Sequence, residues 1–167
     1  MKKLFLLMMM FAAPSAFAAD GSWFAVGANY EHLASGGKEN GVSINAEGGY
    51  WYLANVAYGG SFKASFFGDR DHYAGSKFNM YDLGAFWKAG TEQGLYGKLV
   101  AGLAFMDGDT NGLRTGDGTS FYVGLGGGFL FPVTETFQIG PEVLYRHLTA
   151  GDGADQISVG ALVAYSF

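Results

Sequence analysis

The sequence predicts an all-β chain: an eight-stranded antiparallel transmembrane β-barrel with four longer outer loops and short periplasmic turns. Three observations carry that expectation. Apolar residues alternate with small or charged ones along eight successive segments, the period of a strand with two different faces. The connections between those segments alternate long and short. The chain also opens on an export sequence.

Composition narrows the field. The chain has 167 residues, 17% aromatic and only 15% charged, which fits one domain and excludes a disordered polymer. Its 28 glycines argue against a helical bundle, because glycine costs ~1 kcal/mol per helical position. Acidic residues outnumber basic ones 15 to 10, so no nucleic-acid partner is expected, since such binders carry a basic excess. With no cysteine, neither a disulfide framework, a lipoprotein anchor nor a Cys-ligated metal is expected.

Residues 1–19 read as a secretory signal peptide. Lys2 and Lys3 give the positive start, Leu4 to Ala13 the apolar run, and Ala16-Phe17-Ala18 the small residues before a cut after Ala18 or Ala19. The run is shorter than the ~20 residues that a spanning helix needs. Residues 20–167 then form the barrel domain.

The alternation is followed strand by strand. Phe24, Val26, Ala28 and Tyr30 oppose Ala25, Gly27, Asn29 and Glu31; Val42, Ile44, Ala46 and Tyr50 oppose Ser43, Asn45, Glu47 and Gly49. Val56, Tyr58, Phe62, Ala64 and Phe66 oppose Ala57, Gly59, Ser61, Lys63 and Ser65; Tyr81, Leu83, Ala85 and Trp87 oppose Met80, Asp82, Gly84, Phe86 and Lys88. Leu95, Leu99, Ala101, Leu103 and Phe105 oppose Tyr96, Lys98, Val100, Gly102 and Ala104; Phe121, Val123, Leu125, Phe129 and Phe131 oppose Tyr122, Gly124, Gly126 and Gly128. Phe137, Ile139, Val143 and Tyr145 oppose Gln138, Gly140, Glu142, Leu144 and Arg146; Ile157, Val159, Ala161, Val163, Tyr165 and Phe167 oppose Ser158, Gly160, Leu162, Ala164 and Ser166.

Connections 34–40, 68–77, 107–119 and 149–155 are long and polar, whereas 53–54, 89–94 and 132–136 are short. An even strand number with short periplasmic turns and longer outer loops is the plan of an outer-membrane barrel. The aromatic face is too bulky for an eight-strand interior, so it is assigned to lipid, and a soluble lipocalin-like barrel is the lesser alternative. Trp23, Tyr30, Trp51, Tyr52, Trp87, Phe131, Phe137, Tyr165 and Phe167 are read as interfacial girdles.

The ending Val163-Ala164-Tyr165-Ser166-Phe167, together with the export sequence and the eight segments, resembles small outer-membrane barrels of the OmpX, OmpA-transmembrane and opacity-protein kind. The stretch Gly140 to Arg146 is similar to the penultimate strand of the opacity-like group. The resemblance implies outer-membrane localisation and a C-terminal signal, Tyr165 and Phe167, read by the barrel-assembly machinery. It also implies contact with outer-membrane lipid and lipopolysaccharide, and a surface ligand held by the outer loops.

Eight charged residues share the inward parity: Glu31, Glu47, Asp82 and Glu142 against Lys63, Lys88, Lys98 and Arg146. Buried charges must be paired, so a lumenal salt-bridge plug is expected, with a gated ion path as the sharper alternative. Glu142 is offered Lys63 or Lys98; Arg146 is offered Glu31, Glu47 or Asp82.

Other motifs carry less. Asp107-Gly-Asp109-Thr-Asn111-Gly112 matches the first half of a calcium loop, but the twelfth position is Gly118 where a bidentate Glu is needed. Gly124 to Gly128 lies inside an alternating strand, not before a helix, so it is no phosphate cradle. His147-Leu148-Thr149 resembles the His-x-Ser pair of PagL-type lipid A deacylases, with no Ser-Asn pair and no acid after Asp155; His32 and His72 have no such partner. The expected function is therefore non-catalytic and without cofactor or metal: a barrel that presents its loops for adhesion, recognition or envelope stabilisation. A PagL-like hydrolase and a narrow ion channel are the alternatives.

Overall fold

The computed structural model describes residues 21–35, 37–53, 55–68, 77–91, 94–109, 118–149 and 153–167. The expected export sequence and its boundary lie outside the described residues. Residues of alternating character form strands β1 (Ser22–Ser35), β2 (Gly37–Leu53), β3 (Val56–Gly68), β4 (Lys77–Gly90), β5 (Leu95–Asp109), β6 (Gly118–Phe129), the two-residue β7 (Phe131–Pro132), β8 (Phe137–Leu148) and β9 (Ala154–Ser166). Neighbours in sequence pair antiparallel, β1 also pairs β9, and β6 pairs β8, so the sheet closes on itself as an eight-stranded wall with β7 as an extra fragment. No helix among the described residues is long and apolar enough to cross a membrane.

Period two places alternate side chains on opposite faces. Outside, Ile44, Leu99 and Leu125 are exposed, Leu125 by 60%, whereas inside Glu31 and Gln156 are fully buried. A soluble barrel would reverse that distribution, because apolar area left in water forfeits ~25 cal/mol per Å². Gly21, Phe167 and the strand ends at Leu53, Val56, Gly90, Leu95, Pro132 and Phe137 lie at one end of the wall, here the terminal end; the opposite end, here the loop end, carries the strand ends at Ser35, Gly68, Asp109 and Leu148.

Three sequence expectations change. The connection 34–40 is not a long loop: β1 and β2 stay in register as far as Ser35 and Gly37, giving a tight hairpin. The sixth segment breaks at Leu130. Its ladder with β8 runs only from Tyr122–Leu148 to Gly128–Glu142 and resumes at Phe131–Ile139. The physical reason is Pro141, which stands opposite Phe129 in this register and has no N–H to donate; on the other side Leu130 N continues the β5–β6 register by donating to Gly94 O at 3.0 Å. A Cβ on Gly140 would collide with Phe129 O, so the chain crosses here only because position 140 is glycine.

The third correction concerns the girdle. Trp23 is 3% exposed and lies inside the barrel, its ring 6.2 Å from Trp51 and 5.5 Å from Phe86. Parity explains it: Trp23 falls on the Ala25–Asn29–Glu31 face, and the row across from it holds Gly49 and Gly59, which leave the volume. Tyr30, Tyr52, Trp87, Phe131, Tyr165 and Phe167 do stand exposed on the outer face.

Candidate functional site

Each of the eight charged lumen residues lies buried on the inward face of its strand, and the curvature of the wall brings them together. They separate into two groups. Towards the loop end, Glu31 on β1 accepts from Lys63 Nζ at 2.5 Å, Gln156 Nε2 at 2.9 Å, Ser158 Oγ at 2.7 Å and Ser43 Oγ. In the same group Arg146 Nη1 donates to Asp82 Oδ2 at 2.5 Å and its other terminal nitrogen to Gln156 Oε1. The Arg146 guanidinium also lies 5.0 Å from the Tyr122 ring.

Towards the terminal end, Glu47 accepts from Lys88 at 2.8 Å and from Lys98. Lys98 continues to Glu142 at 3.0 Å, and Tyr96 OH donates to the same carboxylate at 2.8 Å. Lys88 Nζ sits 4.2 Å above the Trp23 ring and 4.5 Å from that of Tyr96. Each group holds two cations and two anions, so each is neutral by itself. Glu142 thus meets Lys98, and Arg146 meets Asp82.

The groups have room because of particular neighbours. A Cβ on Gly124 would stand 2.8 Å from Arg146 Cγ, so that glycine admits the arginine stem. Between the groups lies a cavity of about 30 Å³ lined by Asn29, Asn45, Ser61, Val100 and Tyr122 among others, space for about two waters at ~10–15 Å³ each. Asn29 Nδ2 donates to Ser43 Oγ at 3.1 Å and Asn45 Oδ1 at 3.0 Å. Apolar layers close both ends: Trp23, Phe86 and Leu130 on one side, Leu33, Met80 and Leu148 on the other.

Sequence reading missed Tyr96, Gln156 and Ser158 as partners, although it set Tyr96 and Ser158 on the inward face, and it read Trp23 as a girdle residue. Their inward parity was the available signal. For Trp23 it was outweighed by the expectation that an eight-strand interior is too narrow for the bulky aromatic face.

Tyr165 and Phe167 are exposed on the outer face with ring centroids 5.1 Å apart, and Phe167 N donates to Ser22 O at 2.9 Å. Most of the calcium-like loop and His72 lie outside the described residues. Among the described residues no three His, Asp or Glu cluster as a metal site would require. His147 has an acid after all: Asp155 itself lies opposite it in the β8–β9 ladder, Oδ1 2.8 Å from His147 Nδ1. Thr149 Oγ1 donates to Phe121 O at 3.0 Å.

No family model and no curated protein matches the chain. Solved structures do match in fold. Neisserial surface protein A aligns at TM-score 0.67 and 17% identity over 89% of this chain and 98% of its own. Ail, the attachment invasion locus protein of Yersinia pestis, aligns at 0.59 and 18% over 88% and 100%. The outer membrane enzyme PagL aligns at 0.54 and 13% over 86% and 99%. The chain therefore has the fold of the small eight-stranded outer-membrane β-barrels.

Proposed function

We propose that this protein is a non-catalytic outer-membrane barrel that holds its loops outside the cell for adhesion or surface recognition. The observation that carries the reading is the lumen: two internally neutral charge groups between apolar layers fill the barrel but for one small cavity, which supports a rigid anchor over a pore. The lipid-exposed wall supports membrane residence, and the short turns beside both termini support placing the terminal end in the periplasm. Two of the fold relatives are named for surface attachment or surface location, and Ail has also been solved with the heparin analogue sucrose octasulfate. The test is paired: adhesion of cells with and without the protein to immobilised sulfated polysaccharide, and single-channel recording on the purified barrel. Loss of adhesion with the gene and silent bilayers support the reading; stable currents through the unmodified protein sink the plug and favour the narrow channel.

A second reading, a lipid A-modifying hydrolase, draws on the His147–Asp155 pair and on the PagL fold match. Covalent catalysis of that kind needs a hydroxyl within reach of the base. The Thr149 hydroxyl is turned to a backbone carbonyl, which favours the first reading. A deacylation assay on purified barrel with lipopolysaccharide separates the two.

A further inference from the structure

Hydrogen-bonding capacity left over inside the barrel is concentrated at one level. Among the described residues, the buried side-chain atoms without a hydrogen-bond partner are Trp23 Nε1, Ser65 Oγ, Asp82 Oδ1 and Arg146 Nε. Trp23 belongs to the apolar layer of the terminal end. Two of the others lie on one ion pair, Asp82 and Arg146, which meets through Oδ2 and Nη1 and keeps Oδ1 and Nε unused.

Register brings the third beside them. Lys63 on β3 stands opposite Asp82 on β4, and Ser65 stands opposite Met80. Ser65 is thus the diagonal neighbour of Asp82 on the inward face, at ~7–8 Å between backbones. Two short side chains leave a gap of bridging size across that span. Ser65, Asp82 and Arg146 are 0%, 1% and 2% exposed, so bulk solvent does not serve these atoms. Arg146 also lines the cavity between the charge groups, so one flank of the pair borders space of water size.

The chemistry of the three atoms selects their partner. The Nε–H only donates, an ionised carboxylate oxygen only accepts, and a hydroxyl does both. A cation would suit Asp82 and Ser65 but face the guanidinium. An anion would suit Arg146 and Ser65 but face the carboxylate. Either would also upset a group whose two cations and two anions already cancel, and uncompensated buried charge is costly. A neutral molecule that donates and accepts satisfies all three, and buried water commonly makes about three such bonds. We infer that the loop-side charge group is a binding site for one ordered water, which accepts from Arg146 Nε, donates to Asp82 Oδ1 and shares a hydrogen bond with Ser65 Oγ. Ser65 is then a positioning residue: it holds the water, and the water holds Asp82 aimed at Arg146.

The test uses the full chain in lipid bilayers and solid-state NMR that transfers magnetisation from water to nearby protein protons, at a pH where guanidinium hydrogens exchange slowly. Transfer to the Arg146 Nε–H is expected in the unmodified protein. It should fall about threefold or more in Ser65→Ala, which removes one of the water's partners, and persist in Ser65→Thr, which keeps the hydroxyl. Heat-dependent gel mobility checks that each barrel is folded. A purely packing role for Ser65 would leave the transfer unchanged in Ser65→Ala, and that result overturns the inference. So does absence of transfer to the Arg146 Nε–H in the folded unmodified protein while loop-end amides receive it. A melting temperature that differs by several degrees between sodium and caesium buffers would assign the site to a cation and overturn it as well. None of these readouts depends on what the outer loops bind, so failure here is distinct from failure of the proposed function.

Discussion

Arg146 on β8 reaches across the lumen to Asp82 on β4, Nη1 to Oδ2 2.5 Å, with both side chains at most 3% exposed. Apart from the small cavity that Arg146 lines, the pair is shut away from solvent. Truncation in Arg146→Ala leaves the Asp82 carboxylate uncompensated, and breaking a buried pair costs about 3–5 kcal/mol. The cavity nearby places the expected loss at the lower end. Urea titration in lipid measures it, and a loss below ~1 kcal/mol would contradict tight pairing. Asp82→Ala/Arg146→Ala should recover part of the loss, and intermittent currents in Arg146→Ala alone would locate the plug at this pair.

Sidedness gives a second outcome. Leu99 points outward and is 54% exposed, while Ser61 faces the cavity between the charge groups. Leu99→Arg is expected to cost ~2–4 kcal/mol if it lies near the bilayer midplane, and Ser61→Thr far less. Equal stability of the two in the same lipid would reverse the assigned faces.

The C-terminal residue stands apart from the lumen. Phe167 carries an exposed ring and contributes one backbone bond to Ser22. Deleting it should leave the interior intact and sharply reduce outer-membrane yield through loss of recognition by the assembly machinery. Normal membrane yield of the truncated chain would refute that role.

Local stability should be uneven around the wall. The β6–β8 ladder is half the length of the β1–β2 ladder, four of its β6 residues are glycine, and Pro141 ends it. Hydrogen exchange follows local opening, so amides of Gly124 to Gly128 should exchange before those of Val26 to Glu31. The reverse order would mean that the β1–β9 junction, where the first and last strands meet, is the weaker one.

Much of this was legible because period two needs no knowledge of partners. Glu31, Lys63 and Arg146 declare a shared face from their own strands alone. Which of them meet is a different matter. Glu142 meeting Lys98 and Asp155 facing His147 depend on register and on how far the strands stagger at closure, and no local pattern encodes stagger. Trp23 was misassigned for another reason: its parity pointed inward, but its size was judged against an average interior and not against Gly49 and Gly59 in its own row. The break at Leu130 was hidden in the same way, since Pro141 acts on the neighbouring strand and not on its own.

The charge groups have one further consequence, for the order in which the protein becomes itself. Among the described residues no ion pair inside the barrel joins adjacent strands: Glu31 takes Lys63 from two strands away, Glu47 takes Lys98 from three, and Asp82 takes Arg146 from three. In a flat sheet, with strands ~4.8 Å apart, partners three strands apart would stand ~14 Å from each other. Curling is what brings them within reach. A half-rolled intermediate, or one slipped by a residue so that its faces exchange, holds its ions stranded in hydrocarbon. Electrostatics here acts as a proofreader, passing the cylinder only when it has shut in the correct frame.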